Sequence, residues 1–289
     1  MSSRQPATPA ELPQRRPIAH GCAWRLAEYV CDAGPADRSF EERHEGVLVA
    51  AVVSGTFSYH GDTGRGVLVP GSLMLGNHGT CYACGHEHSR GDRCIALHIA
   101  PEFFEEVAAS VAGSSRYRFA TTHLPPDERF LAQMARFESL VQEDSLALGQ
   151  VVTLLIESLL RTVCATPARA QRVSPADHRR VARAIAFLED NYAAEVDLDS
   201  LAGEAATSKY HFLRVFRRIV GMTPYQYLLQ VRLRRVAAAL ASRPGRIVDL
   251  ALESGFRDLS GFNRRFRSGF GITPCAWRSR HRRLKDASR

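Results

Sequence analysis

The chain has 289 residues, and at roughly 100–200 residues per domain that is room for about two domains. Apolar residues make up 45% of it, enough for real cores, which excludes a wholly disordered chain. Charge says more: residues 168–289 carry 24 Lys+Arg against 11 Asp+Glu, a net of +13, and residues 1–167 carry 14 against 19, a net of −5. A general preference for arginine explains 36 Arg beside only Lys209 and Lys285, but not why the excess sits in one half. A basic half joined to an acidic half points to a nucleic-acid module beside something else.

Residues 1–20 are rich in Pro, Gln and Ser and read as a flexible tail without the apolar core of a signal peptide. No apolar run approaches the roughly 20 residues of a spanning helix, so a cytoplasmic location with no membrane contact is expected. Seven cysteines are an odd number, and in a reducing compartment they are thiols or metal ligands before they are disulfides.

Residues 21–165 form the second segment. It opens with short apolar or β-branched runs: Val47–Val53, then TFSYH, VLV and LML, divided by glycine turns. That pattern predicts an antiparallel all-β unit, a sandwich or small barrel. From Pro101 the pattern becomes helical. Pro125–Glu143, with Phe130, Met134, Phe137 and Val141 on one stripe, and Ala147–Cys164 are two long amphipathic candidates. Residues 166–177 have a linker's Ala/Pro/Arg/Ser composition, and residues 178–284 read as short helices.

The helical half contains a repeat. At an offset of 50, Phe212, Arg214, Phe216, Arg217, Gly221, Thr223 and Pro224 match Phe262, Arg264, Phe266, Arg267, Gly271, Thr273 and Pro274. Ser208 and Asp258 also align, and both residue types cap helix N-termini. A small-residue helix precedes each copy: Leu201, Ala202 and Ala205, then Leu250, Ala251 and Gly255. A helix, a tight turn and a capped helix with a basic open face is the helix-turn-helix pattern. Tyr225–Ala241, with Leu229, Leu233, Val236 and Leu240 on one stripe, would join the copies as a rigid spacer.

These residues carry a resemblance. SLAGEAATSKYHFLRVFRRIVGMTPYQYL followed by VDLALESGFRDLSGFNRRFRSGFGITPCAWR is similar to the paired helix-turn-helix domain of AraC/XylS-type transcription regulators, over about residues 178–281. The resemblance implies an α+β chain: an N-terminal cupin-like β-barrel with two dimerisation helices, then an all-α domain whose two second helices enter successive major grooves. The implied partners are an operator in double-stranded DNA, a small effector or metal, a second copy of the chain, and RNA polymerase.

In the first second-helix, Phe212, Val215 and Phe216 face inward, so Lys209, Tyr210, Leu213, Arg214, Arg217 and Arg218 face out. The family pattern places Tyr210, Leu213 and Arg214 over base edges. The matching outward positions of the other copy are Leu259, Ser260, Asn263 and Arg264. Arg can chelate a guanine edge, Asn an adenine edge, and Leu can meet a thymine methyl. Arg217, Arg218, Arg265 and Arg267 suit phosphates, which fix register without reading sequence.

The segment CYACGHEHSRGDRC puts Cys81, Cys84, His86, His88 and Cys94 within fourteen residues. Cys-x-x-Cys offers two thiolates to one tetrahedral ion, and thiolate plus imidazole suits a soft metal such as Zn. The glutamate of metal-binding cupins is missing, since Glu87 lies between the histidines. The same thiols could form a redox pair beside Arg90 and Arg93, or simply be small buried hydrophobes. Cys22, Cys31, Cys164 and Cys275 lack near partners and read as structural. The leading reading is a DNA-binding regulator, not an enzyme, whose N-terminal half senses a metal, a redox state or a small molecule. The alternatives are a cupin-type metalloenzyme, or an alkyl-accepting repair protein, with a DNA-binding tail.

Overall fold

The computed structural model describes residues 13–37, 39–86, 91–126, 145–164 and 174–287. Its first part is built of β1 (Gln14–His20), β2 (Trp24–Cys31), β3 (Phe40–Arg43), β4 (Val47–Gly55), β5 (Phe57–Gly61), β6 (Gly64–Leu68), β7 (Leu73–Gly76), β8 (Cys81–Gly85) and β9 (Asp92–Ile99). Helix α1 (Pro101–Ala112), the short β10 (His123–Leu124) and helix α2 (Ser145–Cys164) follow. The strands pair antiparallel in two sheets, one ordered β1-β2-β9-β4-β7-β10 and the other β3-β8-β5-β6.

The unbroken run VLVAAVV of β4 is apolar because both its faces are covered. Val47, Val49 and Ala51 join Ile95, Leu97 and Ile99 against Phe104 and Val107 of α1 and Leu155, Ile156 and Leu159 of α2. Leu48, Ala50 and Val52 turn the other way, with Cys94 and Ala96, toward Phe57, Tyr59, Leu68 and Cys84 of the second sheet. A strand buried on both sides has no solvent face on which polar residues could alternate.

Three expectations change here. Residues 14–20 do not belong to a loose tail: they form β1, at the edge of the larger sheet. The strand is mostly exposed and its register with β2 shifts between Pro17 and Ala19, where Pro17 lacks the N–H that an inner strand would need. An edge strand needs few apolar residues, so its composition reads as tail. The apolar stripe of α2 is buried within its own chain, at Val152, Leu155, Ile156, Leu159 and Leu160, rather than left over for a partner; Leu154 is 55% exposed on the other side. Residues 175–177 of the expected linker are helical, because Ser174 caps the next helix with its Oγ 3.1 Å from the Asp177 N–H, and Pro175 takes the first turn. The expected helix Pro125–Glu143 lies outside the described residues from 127 on, as do linker residues 166–173.

The second part is helical: α3 (Pro175–Asp190), α4 (Leu198–Glu204), α5 (Lys209–Val220), α6 (Pro224–Ser242), α7 (Ile247–Glu253), α8 (Leu259–Phe270) and α9 (Pro274–Ala287). It has two cores. Phe212, Val215 and Phe216 pack with Ile185, Leu188 and Tyr227, and Phe262, Phe266 and Phe270 pack with Leu233, Val236 and Leu240. Helix α6 belongs to both, so the expected spacer is a shared wall. Val67 and Val69, at the end of β6 and just beyond it, insert into the first of these cores.

Candidate functional site

The repeat builds the same local device twice. Ser208 accepts from the His211 N–H at 3.4 Å, and Asp258 accepts from the Ser260 and Gly261 N–H groups at 3.0 and 2.9 Å. These bonds satisfy donors that the first turns of α5 and α8 leave open. Each helix stops at a glycine in the left-handed region, Gly221 at φ 81° and Gly271 at φ 75°. Thr223 then caps α6 in a reciprocal capping box with Gln226, and Thr273 accepts from the Ala276 N–H at 3.2 Å at the start of α9. G-x-T-P is therefore a stop-and-restart signal: glycine ends one helix, threonine caps the next, and proline enters where no N–H is missed.

This framing fixes which sides of α5 and α8 face out. Phe212 and Phe216 are buried, with rings 5.5 Å apart, and Phe262 and Phe266 repeat the arrangement at 5.6 Å. Opposite them, Lys209, Arg214, Arg217, Arg218, Ser260, Asn263, Arg264, Arg265 and Arg267 are exposed, and Tyr210 is 88% exposed. Leu213 and Leu259 are only half-buried outward positions. Leu213 lines a groove with Leu188, Leu201 and Tyr225, and Leu259 packs against the second core.

One relay was not visible in the sequence. Arg214 Nη2 donates to His211 Nδ1 at 3.3 Å, and His211 Nε2 lies 3.1 Å from Asp177 Oδ1 on α3. Asp177 thus accepts the ring proton and leaves Nδ1 free to accept, which orients Arg214. Only the crossing of α3 over α5 brings these residues together, 34 positions apart.

A cavity of about 480 Å³ lies between the two sheets. At one end, His44 Nε2 is 2.7 Å from the Tyr59 hydroxyl and stacks on Tyr82 at 4.2 Å, and the Tyr29 hydroxyl is 2.9 Å from His98 Nε2. Burial lowers His44 to about 4, against the opposing pull of Asp62. Burial, with Arg25 and Arg15 adding to it, also lowers His98 to about 4. At the other end stand Cys31, Cys84, His86, Asp92 and Cys94. Burial pushes the Cys84 and Cys94 thiols well up. For His86 burial works downward, but hydrogen bonds with Asp92 and Cys31 outweigh it and raise it to about 9.

The structure regroups the expected soft-donor cluster. Cys81 and Cys84 both lie on β8, and residues three apart on a strand point to opposite faces: Cys81 is exposed and Cys84 buried. The pair therefore shares neither an ion nor a disulfide. His88 lies outside the described residues. His86 and Cys94 do come together, but with Cys31 and Asp92, which spacing alone did not single out. Cys31 and Asp92 are direct partners in the β2–β9 pairing, and no local pattern announces a contact across 61 positions.

A family model described as a helix-turn-helix domain matches residues 201–280. YbfI, an HTH-type transcriptional regulator of Bacillus subtilis, is 27% identical over 196 residues, covering 67% of this chain and 70% of that protein. AarP, an HTH-type transcriptional activator of Providencia stuartii, is 31% identical over 98 residues, covering 34% of this chain and 73% of that protein. The chain belongs to the AraC/XylS-type transcription regulators. A solved AraC-type regulator structure from Chromobacterium violaceum is 26% identical, covering 37% of this chain and 96% of that one with a TM-score of 0.35. Both relatives carry the name of an HTH-type transcriptional regulator or activator.

In this AraC/XylS-type regulator the two parts touch through the turn after β6. The buried Tyr227 hydroxyl of α6 lies 2.9 Å from Glu189 Oε1 and 3.3 Å from the Pro70 carbonyl oxygen. Arg234 donates to the same Glu189 oxygen at 2.8 Å and its guanidinium borders Gly71. The turn of the sheet unit thus sits on the helix that forms both cores of the DNA-binding part.

Proposed function

We propose that this regulator binds its operator through the outer faces of α5 and α8, each in its own major groove, and that the two-sheet unit is a cupin-like sensor. Tyr210 and Arg214 on α5, and Ser260, Asn263 and Arg264 on α8, take the base-edge positions. Lys209, Arg217, Arg218, Arg265 and Arg267 take phosphates. Leu213 and Leu259, half-buried, contribute mainly to packing. The observation that carries this reading is the duplicated, capped helix whose buried phenylalanines leave Tyr210, Arg214, Arg217 and Arg218 exposed in one copy and Ser260, Arg264, Arg267 and Ser268 exposed at the matching positions of the other.

The sensor reading rests on the inter-sheet cavity and on the contact of Pro70 with Tyr227, through which a change in the sheets would reach α6. The name of AarP favours activation as the outcome. A homodimer would use the outer face of α2, around the exposed Leu154. RNA polymerase is the partner an activator requires.

Footprinting and salt titration test the DNA reading. Arg214→Ala and Asn263→Ala are each expected to relax one base position and cost about 1–3 kcal/mol of operator binding. Arg217→Ala is expected to weaken all sequences alike and reduce the salt slope by about one. His211→Ala is expected to mimic Arg214→Ala in part, since it removes the group that holds that guanidinium. A footprint and salt slope unchanged by all of these would overturn the assignment.

A further inference from the structure

We propose that the inter-sheet cavity holds a soft divalent cation of the zinc class on Cys31, His86, Asp92 and Cys94. One donor atom each of Cys31, His86 and Asp92 lies within 4.8 Å of the others. Cys94 Sγ is 3.4 Å from Asp92 Oδ1, which brings a second sulfur to the group. Cys31, His86 and Cys94 are no more than 5% exposed, so the donors face each other and not water.

The fold explains why these residues meet. Cys31 and Asp92 are opposed in the β2–β9 ladder and share one face, and Cys94 follows two residues on, on that same face. His86, just past the end of β8, reaches them from the other sheet. The register is pinned at Gly91, whose N–H donates to the Ala33 carbonyl at 2.8 Å and whose φ of 73° suits glycine. The donors thus come from both sheets.

The donor chemistry fits the ion. Two sulfurs, an imidazole and a carboxylate are all ordinary zinc ligands. With both thiols ionised and the imidazole neutral, the set carries −3 and the bound site −1, the same as a Cys₃His site. Bond lengths of about 2.0–2.3 Å put tetrahedral donors about 3.3–3.8 Å apart. Cys94 Sγ at 3.4 Å from Asp92 Oδ1 is within that range, His86 Nε2 at 2.5 Å from Asp92 Oδ2 is shorter than it, and the donors of Cys31, His86 and Asp92 all lie within 4.8 Å of one another. Rotation of the Asp92 carboxylate away from His86 opens the short distance. On uptake the ion replaces the two thiol protons and the extra proton of the His86 ring, and all three pass to solvent.

The test uses the full-length chain, reduced, stripped by chelator and titrated with Co²⁺, followed by back-titration with Zn²⁺. One equivalent of Co²⁺ should bring in thiolate-to-metal charge-transfer absorption with tetrahedral d–d bands, and Zn²⁺ should erase both. Cys31→Ser and Cys94→Ser should each weaken binding by at least about 100-fold, as loss of a ligand exceeds the 10–100-fold cost of losing a supporting group. Cys81→Ser, on the opposite face, should leave the titration unchanged. Should one cysteine variant fail to fold, the other and His86→Gln supply the same readout. Less than one equivalent bound by the wild-type chain, or affinity unchanged in both cysteine variants, would overturn the site. Because binding is read by absorption, the result does not depend on whether α5 and α8 read an operator.

Discussion

The two parts of this regulator keep their polar chemistry in opposite places. The helical part wears it outside: its cores are mainly aromatic and aliphatic residues, and the buried polar groups among its described residues are few, Gln230, Ser254 and the Tyr227 hydroxyl. The sheet part carries it inside, burying His44, Ser58, Ser72, Asn77, His86 and Thr122 together with the thiols of Cys31, Cys84 and Cys94. A DNA duplex is larger than a domain and must be met by a convex, charged surface. A small ligand can be enclosed, and enclosure puts the recognising groups in a wall where each must find a partner.

Acid is expected to make the largest difference between the parts. His44, His98 and His123 are held to about 4, in each case chiefly by burial. The unfolded chain takes up these protons near pH 6.5 and the folded one does not until about pH 4. Between those values the unfolded state binds more protons, so stability falls as pH falls and levels off below the folded pKa. Each histidine can remove up to about 3 kcal/mol over that window. Trp24 lies in the sheet part and Trp277 in the helical part, so single-tryptophan variants can follow each separately. The Trp24 signal should change first on acidification; loss of the Trp277 signal first would break the comparison.

Core truncation in the helical part should act on a similar scale without any pH dependence. Phe216 is fully buried, packed between Phe212 at 5.5 Å and Tyr227 at 6.0 Å. Phe216→Ala is expected to cost about 3–5 kcal/mol in denaturant unfolding, whereas Arg217→Ala, one position on and exposed, should stay within about 0.5 kcal/mol. Equal effects would mean that the inner and outer faces of α5 are misassigned.

The device at the helix start should give a smaller effect. Asp258→Ala removes an acceptor of two backbone N–H groups, and about 1 kcal/mol of stability should go with it, together with order at Ser260. The smallest effect belongs to the two turns. Gly255 takes the left-handed region in the second motif at φ 86°, and Ala206 takes it in the first at φ 48°. An alanine there carries backbone strain of about 1–2 kcal/mol, so Ala206→Gly should raise the melting temperature slightly, the relief being partly offset by the added freedom of the unfolded chain. A lowered melting temperature would mean that the first turn is held differently from the second.

The helical part was legible in the sequence nearly residue by residue. Ser208 and Asp258 announce the helix starts, and the spacing of Phe212, Phe216, Phe262 and Phe266 announces the inner face. The sheet part was legible as strands, but its edge strand at 14–20 was not, because an exposed edge has little apolar signal.

What the sequence determined by itself is whatever closes within a few residues: a helical hydrogen bond spans four positions and a cap three, so the partners of each group are its neighbours in the chain. Tertiary structure alone decided the rest. It set Cys81 and Cys84 on opposite faces of β8, brought Cys31 and Asp92 into register across β2 and β9, and laid Asp177 beside His211. The reason is physical: a strand bonds to another strand, not to itself, so the identity of its partner depends on how the whole sheet is ordered.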